Sequence, residues 1–80
     1  MINFAEMSWV VDTAEMTCRD NTNKIVVKIQ KEGDVLRGKI FDMPMDLFAE
    51  IAKDRNGEKI IEKIVKKAQE EYLRVSSKEE

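Results

Sequence analysis

Cys18 is the one soft nucleophile in the chain, and Arg19 beside it is the kind of neighbour that lowers a thiol pKa. A working thiolate also needs a proton acceptor or a second thiol, and the 80 residues contain no histidine and no other cysteine. The simpler reading is a buried, inert thiol. Asp42 with Asp46, and Glu70 with Glu71, carry oxygens of the type used for Mg²⁺ binding or acid–base chemistry. On a chain in which 38% of residues are charged, such pairs read as ordinary surface. Ser8, Ser76 and Ser77 have no evident base. The missing histidine removes Ser-His-Asp and Cys-His pairs, zinc fingers and HExxH sites, and no P-loop, GxGxxG or GxSxG occurs. No catalytic residue, metal or cofactor is expected.

One constellation remains, and it is a surface. Trp9, Val26, Lys28, Val35, Arg37, Lys39 and Phe41, with Val11 and Thr13, fall on a single sheet face if three segments are strands. Two aromatics among three cations have the chemistry to stack single-stranded bases and hold their phosphates. The same residues suit a protein interface, because apolar side chains left there would make a water-exposed patch. The plainer alternative has Trp9 and Phe41 at strand ends, capped by the N-terminal segment, with the cations as a solvated rim.

The elements that must build this face are unequally legible. In residues 24–41, Ile25, Val27 and Ile29 alternate with Val26, Lys28 and Gln30, a β-branched period of two. Gly33 marks the turn, after which Leu36 and Ile40 alternate with Val35, Arg37, Lys39 and Phe41. Gly38 is suited to admitting a helix side chain or marking a bulge. Residues 8–18 fit two patterns. As one strand they put Val10, Ala14, Met16 and Cys18 inward; as a helix they align Phe4, Met7, Val11, Ala14 and Cys18. Trp9, Val10, Val11, Thr13 and Thr17 favour the strand, and a hairpin gains stability from a third strand. The polar run at 20–23 then supplies the next turn, and Asn3 is placed to cap a short helical turn at the start.

Beyond Asp42 the period becomes 3.6. Pro44 and Asp46 suit a helix start, with Met45, Leu47, Phe48, Ile51 and Ala52 on one face, and Asn56-Gly57 reads as an end and a restart. The second helix has the strongest pattern, Ile60, Ile61, Ile64, Val65, Ala68, Tyr72 and Val75 forming one stripe, with Glu62–Lys66 and Glu70–Arg74 as pairs on the wet side. The fold class expected is therefore α+β: a three-stranded antiparallel β-meander followed by two α-helices packed on one face, with αββαα as the alternative. One small domain, 1–75, precedes a frayed tail, 76–80.

Charge and composition bound the function. The net charge is −2, yet residues 24–41 carry five cations against two anions while the first 23 residues carry four acids against Arg19. That balance disfavours a dedicated duplex-DNA binder and leaves room for a local basic patch. The start has no basic segment ahead of an apolar run, no stretch nears the ~18 residues of a membrane span, and one cysteine closes no intrachain disulfide. A cytoplasmic, non-enzymatic interaction module is expected. Its partner is a protein or its own copy (a homodimer), engaged through the sheet face or the end of the long helix; single-stranded nucleic acid is the alternative, and no membrane is involved.

Overall fold

The structure, a computed structural model, describes residues 2–78. After a 3-10 turn at Phe4–Glu6, four antiparallel strands follow in chain order: β1 Trp9–Asp12, β2 Thr17–Asp20, β3 Ile25–Glu32 and β4 Val35–Asp42. Helices α1, Met45–Lys53, and α2, Gly57–Lys78, complete the chain. The α+β class and the two helices are as expected, but the meander has four strands where three were expected, and no N-terminal α-helix of the alternative forms. The anticipated turn at the start is present, with Asn3 Oδ1 accepting from the Ala5 N–H at 3.1 Å.

The extra strand arises because residues 8–18 are not continuous. They fold back at Thr13–Met16, where Asp12 Oδ1 accepts the Glu15 N–H at 3.1 Å and Met16 takes a left-handed φ of 55°. The following connection is built in the same way. Asp20 receives the Thr22 and Asn23 N–H groups, and Lys24, last of the loop, has φ 59°. Both loops hold four residues that begin after an aspartate and end on a left-handed residue. A left-handed non-glycine residue costs ~1–2 kcal/mol. Here Met16 recovers part of that cost by packing on the core and accepting the Ile29 N–H through its carbonyl at 2.8 Å.

The β3–β4 hairpin matches its periodicity. Gly33 has φ 62° at the first position of a two-residue loop, as a type II′ turn requires. Ile25, Val27 and Ile29 are buried with Cys18 of β2 against Ile64, Ala68 and Tyr72 of α2. Gly38 sits where a Cβ would lie 2.7 Å from Val65 Cγ1, so its missing side chain is the space that Val65 occupies. The bulge lies further along β4: Val26 pairs with Asp42 and Val27 with Ile40, leaving Phe41 as the extra residue.

α2 is the helix that contacts all four strands, while α1 meets α2 and enters the core with Ile51 and, partly, Leu47. Met45, Phe48 and Ala52 were expected on that buried face and are exposed, Met45 to 85%. Leu47 and Ile51, one turn apart, suffice to hold a nine-residue helix against its neighbour, so the flanking apolar residues point outward. On α2, Arg74 bonds Glu71 at 2.6 Å, three residues away, where a pair with Glu70 was expected. The helix continues to Lys78, through the first residues of the segment expected to fray. Ser76 and Ser77 hydroxyls donate back to the Leu73 carbonyl, while Glu79 and Glu80 lie outside the described residues.

Candidate functional site: the open face of the sheet

Both helices reach the core from one side of the sheet. Cross-strand partners share a face, so the register defines what the other side carries. Val10, Arg19, Val26 and Asp42 form one row, Asp12, Thr17, Lys28 and Lys39 a second, Gln30 and Arg37 a third, and Glu32 and Val35 a fourth. Val10, Val35 and Phe41 are exposed, Phe41 to 69%, and Val26 is half-buried. Among the described residues no other element covers these side chains: Val10, Val26 and Phe41 lie toward one end of the face and Val35 at the hairpin end, with four cations and the acids Asp12, Glu32 and Asp42 around them.

Local chemistry is concentrated at the β3–β4 end. Lys28 and Lys39 are directly opposed, a like-charge pairing that disfavours the sheet by a few tenths of a kcal/mol. Lys28 Nζ lies 5.5 Å from the centre of the Phe41 ring, within cation–π range, and a shallow hollow forms between Lys28, Gln30, Lys39 and Phe41. Arg37 Nε donates to Glu32 Oε2 at 2.9 Å; both groups are well exposed, so this pair contributes little to stability.

Of the residues expected here, Val26, Lys28, Val35, Arg37, Lys39 and Phe41 lie on this face, Val35 at its hairpin end. Trp9 does not join them: it pairs with buried Asp20 and packs against the core on the helix side, as does Val11, which pairs with Cys18. A single strand from 8 to 18 would set Val10 and Cys18 on one face. The hairpin sets Val11 opposite Cys18 instead, because its four-residue loop pairs odd residues of β1 with even residues of β2. The displaced positions are filled by Val10 and Arg19, which sequence reasoning missed because the fold-back at Thr13–Met16 contains no glycine, proline or asparagine to mark it. Thr13 lies in that loop rather than on the face.

The other chemical candidates are dispersed. Cys18 is buried and donates from Sγ to the Ala68 carbonyl at 3.3 Å. Burial, with a smaller contribution from the nearby Glu71 charge, pushes its pKa up to about 11. Native Cys18 should therefore resist a thiol reagent at pH 8 and react at the rate of global or local opening, a result that Ellman's assay with and without denaturant checks. Because the folded pKa is raised above the ordinary value of 9.0, the stability held by this thiol is full below about pH 9 and is lost as pH rises toward about 11. Glu71 is taken by Arg74, and among the described residues no three His, Cys, Asp or Glu side chains converge as a metal site. No helix among them is long and apolar enough to cross a membrane. No family model, curated protein or solved structure matches the chain.

Proposed function

We propose that the chain is a small, non-enzymatic interaction module that docks a protein on the open face of its sheet. The observation that carries this reading is the set of uncovered apolar side chains, Val10, Val26 and Phe41 toward one end of the face and Val35 at the other, among Arg19, Lys28, Arg37 and Lys39. Apolar side chains raised in the midst of charge gain from being covered, and the charges select what covers them. Leu73, the exposed apolar residue near the end of α2, stands between Glu70 and Arg74 and offers a smaller anchor. The single-stranded nucleic-acid reading has less support: with Trp9 under the sheet, Phe41 is the one aromatic ring on this face, whereas strand-binding surfaces stack successive bases on several.

A photo-crosslinking residue placed at Val35 or at Phe41, in the cell from which the chain comes, tests the reading. Protein adducts are expected from both positions and not from Lys66 on the wet side of α2. Ribonuclease-sensitive adducts, or equal adducts from all three positions, would overturn it. Phe41→Ala should leave stability within about 0.5 kcal/mol, since the ring is exposed. It should also weaken docking roughly tenfold or more, as loss of an aromatic anchor does. Sedimentation of the purified chain distinguishes a second copy from a foreign partner.

A further inference from the structure

β4 is an edge strand of eight residues. The two-residue loop makes Glu32 and Val35 a hydrogen-bonded pair, and bonded and non-bonded pairs then alternate. Val35, Arg37 and Lys39 thus direct their backbone groups to β3, while Leu36, Gly38 and Ile40 direct theirs outward. Two contacts agree with this phase. Gln69 Nε2 of α2 reaches past the sheet to the Leu36 carbonyl at 3.0 Å, and the Ile29 N–H, opposite Gly38, turns away from β4 to Met16. Gln69 therefore covers one outward carbonyl, and the Leu36 N–H with the outward groups of Gly38 and Ile40 forms the rest of the edge.

The two sides of that edge differ in chemistry. Arg37 and Lys39 rise on the open face, with Lys28 directly behind Lys39. On the helix side Leu36 and Ile40 are half-buried, and between them Gly38 has no side chain. A strand added alongside would place every second residue beside the cations and the alternate residues beside Leu36 and Ile40. We propose that the β4 edge receives, as a fifth strand, an extended segment of a partner protein in which acidic and apolar residues alternate. The acidic side chains neutralise the opposed Lys28–Lys39 pair; the apolar ones extend the core past Gly38.

A second copy is a poor occupant. Antiparallel pairing of two β4 edges centred on Gly38 sets Arg37 of each chain against Lys39 of the other, and edge cations of this kind are a common guard against self-pairing. The cations that repel a second β4 attract an acidic strand, and added strands gain affinity from main-chain bonds and specificity from alternate side chains. This mode rests on the docking reading above and narrows it to one edge and one partner chemistry.

The test is an amide-resolved NMR titration of the full chain with an end-capped octapeptide of alternating Glu and Val. An alternating Lys and Val peptide and oligouridine serve as the comparison probes. The expected result is binding of the Glu peptide that weakens with salt, slowed exchange of the Gly38 and Ile40 amides, and at least a tenfold loss of affinity in K28E/K39E. Lys28 and Lys39 are exposed, so that variant should fold, and its amide spectrum shows whether it does. The proposal is overturned by no shifts at millimolar Glu peptide, by equal binding of the Lys peptide, or by preferential binding of oligouridine. Shifts confined to Val10, Arg19 and Val26 overturn the edge mode and leave open-face docking intact, because the crosslinking pattern from Val35 and Phe41 reads that separately.

Discussion

Asp20→Ala is expected to lower the stability of the fold by ~2–4 kcal/mol, measured as a shift in the urea midpoint at constant slope. Asp20 is 1% exposed, and its carboxylate accepts four donors: the N–H groups of Ser8 at 2.8 Å, Thr22 at 3.1 Å and Asn23 at 3.3 Å, and Asn23 Nδ2 at 2.8 Å. Hydrogen bonds to a charged group are worth more than neutral ones, and truncation leaves three backbone donors without their acceptor. Solvent reaches Ser8 and Thr22, which keeps the loss below a full desolvation penalty. A chain of this size has roughly 4–12 kcal/mol in total, so the variant should be half-unfolded in mild denaturant.

The effect extends beyond one turn, because the same carboxylate joins the N-terminal segment to the sheet. Ser8 is held to Asp20, its carbonyl accepts the Asn21 N–H, and the Thr22 hydroxyl donates to the Glu6 carbonyl. These bonds seat β1 so that Trp9, next in the chain, lies under the sheet. Asp20→Asn keeps one carbonyl oxygen but aims an amide at the donors of Asn23, and an intermediate loss of ~1–2 kcal/mol is expected. Losses below 1 kcal/mol in the alanine variant would mean that water replaces the carboxylate and that Asp20 does not organise this end of the fold.

Gly57→Ala has an expected sign opposite to helix propensity. Glycine to alanine in a helix ordinarily gains up to ~1 kcal/mol. Gly57 opens α2, is buried, and has ordinary backbone angles, yet a Cβ built on it would lie 2.4 Å from the Ile51 carbonyl oxygen. That oxygen belongs to the main chain at the end of α1 and already accepts the Asp54 N–H at 3.1 Å, so no rotamer change relieves the contact. The two helices must separate, withdrawing Ile51 from the core, and a net loss of ~1–3 kcal/mol follows. Thermal unfolding of the variant decides the sign. A stabilised Gly57→Ala would mean that α1 and α2 pack less closely than their backbones imply.

The parts legible in sequence were those whose pattern and burial agree. The β3–β4 hairpin carries five alternating apolar residues around a glycine turn, and α2 carries a stripe too long to be anything but a helix. Gly38 suits either a close helix side chain or a bulge; Val65 takes the first role, and the bulge falls at Phe41 instead. Cys18 was read as buried and is 0% exposed. The fold-back at Thr13–Met16 had no such mark: it contains no glycine, proline or asparagine, and its left-handed residue is a methionine held by contacts from β3 and the core. Missing it inverted the parity of β1, put Trp9 on the wrong face and omitted Val10 and Arg19. The error on Met45, Phe48 and Ala52 differs in kind, since periodicity reports that a face is apolar and not whether a neighbour is large enough to cover it.

The sequence by itself determined the α+β class, the hairpin, the two helices and the absence of histidine chemistry, because each follows from residue types or local spacing. Tertiary structure alone decided which face the side chains of β1 join. That depends on the length of a loop and the register across it, and a change of one residue in either exchanges the faces of the strand. Here a four-residue loop, stabilised by Asp12 and by the packing of Met16, set the tryptophan against the core on the helix side and left Phe41 and the cations of β3 and β4 on the open face.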